Sequence, residues 1–393
     1  MVARFPVTLL SVAGALLMVC AADAQVPVPQ QATLEPARAY APAVWDGEGH
    51  AYLFGGLGPG NLLLDQIVKY TPATDQAEVM AARLPVAVYG ASAVWDGEGH
   101  AYVFGGRTTM EPQPAPVVPV VDARQTNQIL RYTPATDTLE VMPAVLPTPR
   151  YLMAAIWDGA GHAYLFGGYD SAHLATVVEY TPATAAVTTL DTALPGPLSH
   201  LAAVSDGQGN AYIFGGYEGS GRFSDEVLRF DGATKAISVT GARLPTARES
   251  MSVVWSDGRA FVFGGGSRSG QFDDVLAFRP ATAEVEAIAT ALPVPSAGTA
   301  AVWDPSGTAY VFGGTKSDGM REQIIAFDLD ATTPGTVVEP EEPSNRGIRD
   351  AGDDTAGQPT PEPSIDGGSQ PIPGPGVLSV GLLLALATLS RRV

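Results

Sequence analysis

The string VWDGEGHAYLFGG begins at Val44 and places Asp46, Glu48 and His50 within five positions; from Val94 the chain repeats it as VWDGEGHAYVFGG. Carboxylates beside an imidazole are the materials of metal ligation and of general acid–base catalysis. The later copies argue against either. They read DGAGH at Asp158, DGQGN at Asp206, SDGR at Ser256 and DPSGT at Asp304, so Glu48 becomes Ala160 and Gln208, and His162 is answered by Asn210. A position that drifts this way within one chain is not held to one chemistry. Asp-Gly and Gly-rich links between short apolar runs are hairpin turns, in which Gly supplies positive φ and Asp bonds its own backbone. His50, His100 and His162 fall in successive copies, whereas one ion needs its donors within ~2 Å. The sequence therefore predicts no metal site, no cofactor and no catalytic residue here. GGLGPG and GGGSRSG invite a phosphate-loop reading, but such loops open a helix, and here another strand follows.

The turns belong to a repeat. Gly pairs close an apolar run at Gly55-Gly56, Gly105-Gly106, Gly167-Gly168, Gly215-Gly216, Gly264-Gly265 and Gly313-Gly314, at steps of 50, 62, 48, 49 and 49 residues. An aromatic-rich run precedes each pair (AYLF, AYVF, AYLF, AYIF, AFVF, AYVF). A third run follows it, as in IVKYTPAT and VLAFRPAT, and a fourth, weaker run leads to a Leu-Pro step such as Leu84-Pro85 or Leu292-Pro293. Four short strands per unit and six units predict an antiparallel all-β architecture. One such unit cannot bury both faces; six stacked in a ring can, leaving short protected edges. Both QQATLE near the N-terminus and TVVEP from Thr336 are candidates for the last unit's outer strand.

The Gly-Gly pair, the aromatic before x-P-x-T, the Leu-Pro step and Pro149-Arg150 resemble the kelch repeat, most closely in LPTPRYLMAAIWDGAGHAYLFGGYDSAHLATVVEYTPAT from Leu146 to Thr184. The resemblance runs from about Leu34 to Val338 and implies a six-bladed β-propeller with four antiparallel strands per blade. The family's Trp, seven residues after the third-strand aromatic, is replaced by Ala77, Leu139, Val187, Ile237 and Val285. Trp stands on the first strand instead, at Trp45, Trp95, Trp157, Trp255 and Trp303, with Ser205 in the remaining copy.

Propellers of this family bind at the face formed by the loops between strands two and three and between blades. Seven residues before the Trp position stand Arg38, Val88, Arg150, Leu198, Arg248 and Ser296. Arg38, Arg150 and Arg248 match the family's Pro-Arg step, which in some members contacts acidic ligand groups, and a guanidinium fork suits a carboxylate. With Tyr151, His200 and Glu249 they are the candidate ligand-binding residues. The alternative is that each Arg pairs with a carboxylate or carbonyl of the adjoining blade. Two further features fall on this face. From Gly pair to third-strand aromatic takes 12 to 14 residues in five copies but 26 in the second, where RTTMEPQPAPVVPVVDARQTN (Arg107 to Asn127) brings four prolines. The loops YEGSGRFSD and GSRSGQFDD mix polar groups with an aromatic, as peptide and carbohydrate contacts do.

The formal charge of −19, with three Lys, repels phosphate backbones and excludes nucleic acid as a partner. The first 24 residues carry an early Arg, an apolar stretch and Ala22-Asp23-Ala24, the pattern of a secretory signal, with Cys20, the sole cysteine, inside it. Residues 25–340 then form the propeller. Residues 341–376 are acidic and rich in Pro and Gly, an extended linker. Residues 377–393 hold a short apolar run ending in Arg391 and Arg392, similar to the carboxy-terminal sorting signals read by archaeosortase-type transpeptidases. At thirteen residues, VLSVGLLLALATL is short of the ~20 that span a bilayer. These features predict an exported propeller displayed at the cell surface, touching membrane only through its tail. Its expected role is non-catalytic binding of a surface or extracellular protein or an acidic glycan. The alternatives are a sugar-modifying enzyme resembling kelch-type sialic-acid mutarotases, with Arg150, His200, Arg248 and Glu249 as its groups, and a structural component of a surface layer.

Overall fold

The computed structural model of the chain describes residues 26–109 and 125–329. The chain divides into a unit Met1–Val337 and a second unit, Val338–Val393, that lies outside the described residues. The expected leader, the prolines of the second-copy insertion, the linker and the apolar tail lie outside them too.

Each copy of the repeat forms one four-stranded antiparallel sheet, and six such sheets make a propeller. Blade 1 is Ala43–Trp45, Ala51–Phe54, Gln66–Thr71 and Gln76–Arg83 from the axis outward. Blade 6 combines Ala300–Trp303, Thr308–Phe312 and Gln323–Asp328 with Val28–Thr33 as its outermost strand. Val28 pairs with Ala326 and Pro29 with Ile325, so the N-terminal candidate closes the ring. The same sheet thus holds both ends of the described chain, which turns an open stack into a closed one.

The core sits between blades rather than within them. Six apolar clusters each join two neighbouring blades, for example Phe54, Val103 and Tyr132 between blades 1 and 2, and Phe312, Leu53 and Tyr70 between blades 6 and 1. The four-residue apolar run of every second strand is buried throughout, as AYLF is in blade 1. A strand covered on both faces reads as a continuous apolar run, and this explains the aromatic-rich signature. The displaced tryptophans staple the same interfaces. Trp45, Trp157 and Trp255 stack on Tyr310, Tyr102 and Tyr212 of the preceding blade, with ring planes within 11° of parallel.

The Gly pairs are clearance points. A Cβ on the first Gly of each pair would lie 2.1–2.6 Å from a carbonyl oxygen of the next blade. The second Gly donates its N–H to that same carbonyl, as Gly106 does to Arg150 at 2.9 Å and Gly314 to Arg38 at 2.9 Å. Only glycine permits this approach with φ near +55° to +113°.

The Asp-x-x-x-His strings close hairpins between first and second strands. Asp46 Oδ1 accepts the N–H groups of Glu48 (2.7 Å) and His50 (2.9 Å), while Oδ2 meets His50 Nδ1 at 2.7 Å. His100 and His162 repeat the contact with Asp96 and Asp158. In blade 4 the amide of Asn210 donates to Asp206 Oδ2 at 2.7 Å and does the same work. The imidazoles are serving as hydrogen-bonding groups of a turn. Among the described residues no three His, Cys, Asp or Glu side chains gather around one point.

Candidate functional site

An axial channel runs between the innermost strands, walled at mid-height by Ala43, Ala93, Ala155, Ala203, Val253 and Ala301. One end opens between the tryptophans, on the face of the Asp-Gly hairpins. The other end is a cavity of about 190 Å³ on the face of the long loops.

A closed ring of backbone hydrogen bonds frames that second mouth. Tyr40 donates to Gly298, Gly298 to Ser250, Ser250 to His200, His200 to Leu152, Leu152 to Gly90 and Gly90 to Tyr40, at 2.6–2.9 Å. All six residues have φ between +54° and +64°. Four of them are not glycine, and left-handed backbone costs an L-residue ~1–2 kcal/mol. The ring positions Tyr40, Leu152, His200 and Ser250 around the axis against that cost.

Outside the ring each blade repeats a single backbone bridge with its own side chains. The pairs are Ala39 with Leu57, Tyr89 with Arg107, Tyr151 with Tyr169, Ser199 with Tyr217, Glu249 with Gly266 and Ala297 with Thr315. Blades 2 to 4 therefore offer aromatic groups at this bridge, blade 1 offers aliphatic ones with Tyr40 next in sequence, and blades 5 and 6 offer small or acidic ones. The aromatic groups touch in a circuit. Tyr40 meets Tyr89 (ring centroids 6.1 Å apart), Tyr89 meets Tyr151 (5.7 Å) and Tyr151 meets Tyr169 (5.7 Å). Tyr169 meets His173 (5.0 Å), His173 meets Tyr217 (5.1 Å), Tyr217 meets His200 (6.3 Å), and His200 returns to Tyr40 (6.5 Å). Every contact is edge-to-face, the arrangement the ring quadrupole favours, worth ~0.5–1.5 kcal/mol per pair beyond burial. The result is a stiff collar of π-surfaces.

Polar groups complete the collar. Arg107 donates to the Tyr151 hydroxyl (3.2 Å) and the Thr109 carbonyl (2.8 Å), with its guanidinium 5.5 Å from the Tyr151 ring centre. Ser199 Oγ lies 3.0 Å from His173 Nδ1 and 2.8 Å from His200 Nδ1. One hydroxyl proton cannot serve both, so one imidazole donates to Ser199 and the other accepts from it. Burial, and then the neighbouring His173, lowers the His200 pKa to about 4, so this imidazole is neutral at physiological pH. Glu249 Oε2 lies 3.5 Å from His200 Nδ1, and burial raises this carboxyl to about 7.

Of the candidate residues His200 lines the cavity, Tyr151 and Glu249 stand just outside the ring beside Leu152 and Ser250, and the three arginines are buried away from it. Arg38, Arg150 and Arg248 are 1%, 2% and 1% exposed and lie behind the channel wall. Their forks are occupied. Arg38 donates to the Gly55 carbonyl (3.1 Å) and the Gln66 side chain (2.8 Å); Arg150 to the Gly167 carbonyl (3.3 Å), Thr176 Oγ1 (3.0 Å) and Thr148 Oγ1 (2.9 Å). Arg248 reaches the Gly264 carbonyl (3.1 Å), holds Asp274 with both terminal nitrogens and stacks over Phe272 at 4.1 Å. These partners come from the arginine's own blade, not the adjoining one. The link to the neighbour runs through the arginine's main-chain carbonyl, which receives the preceding blade's second glycine. The guanidinium groups are therefore closed off from the cavity, whose lining includes Tyr40 and His200.

Two contributors escape a reading of the column alone. Arg321, 5% exposed, enters blade 6 from the loop between its second and third strands and donates to Ser296 Oγ (2.6 Å) and the Val294 carbonyl (3.0 Å). Blade 6 thus keeps a buried guanidinium where its column residue is Ser; the signal was Arg at a position filled by Leu64, Thr126, Leu174, Ser224 and Phe272 elsewhere. Tyr169, Tyr217 and His173 come from the segments after the Gly pairs. YEGSGRFSD and GSRSGQFDD fold as small two-stranded ribbons, and in the first Tyr217 packs on Phe223.

This architecture is that of a six-bladed kelch-type β-propeller. Residues 161–346 match the family model described as the KLHDC2/KLHL20/DRC7 Kelch-repeats domain, which spans the chain from the turn before the second strand of blade 3 through blade 6. The match and the six-bladed fold together support the kelch family for this chain. No curated protein matches the sequence.

Proposed function

We propose that the protein is a non-catalytic binding module that takes a partner protein at the aromatic mouth of its channel. The observation that carries this reading is the closed collar of Tyr40, Tyr89, Tyr151, Tyr169, His173, Tyr217 and His200. Tyr40, Tyr169, His173, Tyr217 and His200 are partly exposed and Tyr89 and Tyr151 are buried behind them, so the collar offers braced aromatic contact area at little cost in side-chain entropy. A kelch propeller supports protein binding at the level of fold. The acidic-glycan reading stood on exposed arginine forks, and their burial removes that support. Export and surface display belong to the same proposal. They rest on the leader pattern of residues 1–24 and the tail pattern of residues 341–393, both outside the described residues.

The test uses the full chain as bait on extracellular and envelope proteins, beside a Tyr151→Ala/His200→Ala variant. The proposal expects a protein captured by the parent and lost by the variant at a temperature where both are still folded. Capture that survives the double substitution removes the mouth from the binding site. One observation favours an enzyme instead: Glu249 titrates near neutrality beside His200. That reading requires turnover of a sugar by the parent that Glu249→Gln abolishes.

A further inference from the structure

With the guanidinium groups turned into the blades, the mouth keeps a carboxylate among aromatic rings. We propose that it recognises a basic side chain, a lysine or arginine presented by the partner protein, held between the Glu249 carboxylate and the aromatic surfaces of Tyr40, His200 and Tyr217. The inference rests on the reading of the mouth as the binding site and adds the charge of what enters it.

Three observations carry it. Glu249 Oε2 is enclosed and has no hydrogen-bond partner among the described residues. Its ionisable neighbours include Tyr40, whose hydroxyl burial and then this carboxylate keep protonated, and His200, which is neutral and too distant at 3.5 Å for a good hydrogen bond. The side chain as a whole is a quarter exposed, so an incoming charged donor meets the other carboxylate oxygen and stabilises the charge whose enclosed oxygen is left unpaired. Second, the collar already accommodates one cation of this kind. Arg107 lies over the Tyr151 ring and donates to its hydroxyl, the combination of π-face and oxygen proposed for the incoming side chain. Arg107 belongs to blade 2 and Glu249 to blade 5, so the vacant acid stands on the other side of the axis. Third, the body is acidic: residues 26–109 and 125–329 hold 29 Asp and Glu against 16 Lys and Arg. Such a field draws a basic partner and repels an acidic one.

The test measures binding of the full chain to surfaces densely coated with the peptide Gly-Gly-X-Gly-Gly, where X is Arg, Lys, Gln or Glu. Dense display lets weak single contacts register. The Arg and Lys surfaces should retain the chain at least tenfold better than Gln or Glu. Glu249→Gln, which keeps the backbone bridge to Gly266, should erase that preference about tenfold while the variant remains fully folded at the temperature of the assay. General attraction between an acidic protein and a basic surface would survive the loss of one carboxylate out of 41 Asp and Glu, so retention by the variant overturns the proposal. Equal or better retention on Glu, or no retention on any surface, also overturns it. In those cases loss of partner capture by Tyr151→Ala/His200→Ala leaves the mouth standing as a site with another specificity; unchanged capture removes both readings.

Discussion

Arg248 and Glu249 are consecutive in the chain and belong to opposite regions of the molecule. The arginine faces into blade 5, grips Asp274 and stacks on Phe272; the glutamate stands beside His200, a quarter exposed, with one carboxylate oxygen that no described residue holds. The same division separates the two regions everywhere. Behind the wall the blades converge on shared solutions: a glycine clearance, a carbonyl received from the next blade, a packed guanidinium or aliphatic group. At the mouth one backbone bridge recurs six times with six different pairs of side chains. The backbone there is fixed by its own hydrogen bonds, so its side chains are freer to differ, even though Leu57, Tyr89 and Tyr151 also pack in a small apolar cluster. In a repeat protein, agreement among copies marks architecture and divergence on a common frame marks the site.

The comparison breaks first at Arg248. Replacing it with alanine strands Asp274 and opens a void against Phe272, and should cost about 3 kcal/mol in urea unfolding. Full stability in that variant would mean the column is not structural. Gly298 tests the frame between the regions. Its added Cβ would lie 2.8 Å from the Tyr40 ring at a residue with φ of +64°, so Gly298→Ala should cost about 1–2 kcal/mol and weaken partner binding by displacing Tyr40. A stable variant with intact binding would show that Tyr40 is not part of the site.

The mouth should also reveal itself by pH. Burial lifts Glu249 from 4.5 to about 7, so between those values the folded state keeps a proton that the unfolded chain has released. That contribution to stability is whole below pH 4.5 and is lost as pH rises through 7. His200 is lowered from 6.5 to about 4, so its contribution is whole above pH 6.5 and is lost as pH falls through 4. Between pH 4.5 and 6.5 the two oppose each other. Thermal midpoints across this range should fall on acidification in Glu249→Gln and fall on alkalinisation in His200→Gln. Identical slopes in both variants would place these groups in an ordinary solvated setting.

The smallest expected effect lies in the architecture. Asp137 accepts the Tyr132 hydroxyl (2.9 Å) and the N–H of Ala81 in blade 1 (2.8 Å). Blade 3 has Ala185 in that place, the Tyr180 hydroxyl is buried without a partner, and blade 2 has Pro143 where blade 1 offers its N–H. Ala185→Asp, at φ +53° where Asp is tolerated, should add about 1 kcal/mol by satisfying Tyr180. No gain would show that the bridge needs the neighbour's N–H as well.

Blade count, strand count and hairpins were legible in the residues because glycine clearances and wholly buried strands restrict composition strongly. Asp46 and His50 could be set aside as turn residues because blade 4 solves the same turn with Asn210. The role of the arginines was not legible. Spacing places Arg150 one residue from Tyr151, but which of them faces the blade depends on the left-handed turn at Leu152 and on acceptors from Gly167 and Thr176, distant in sequence. The aromatic collar was half visible: Tyr151 and His200 stand in the turns before the first strands, whereas Tyr169, His173 and Tyr217 arrive from loops whose fold no periodicity reports. Ring closure by Val28–Thr33 was one of two open choices, settled by its pairing with Gln323–Asp328.

The central claim, that the arginine column is architecture and the collar is the site, is tested most directly by one paired measurement on the full chain. Thermal unfolding and partner capture are recorded for Arg150→Ala and for its neighbour Tyr151→Ala. The account predicts that Arg150→Ala unfolds at lower temperature and still captures the partner while folded, and that Tyr151→Ala, itself destabilised by the loss of a buried ring, loses the partner while still folded. An Arg150→Ala variant of unchanged stability that no longer captures the partner would contradict it.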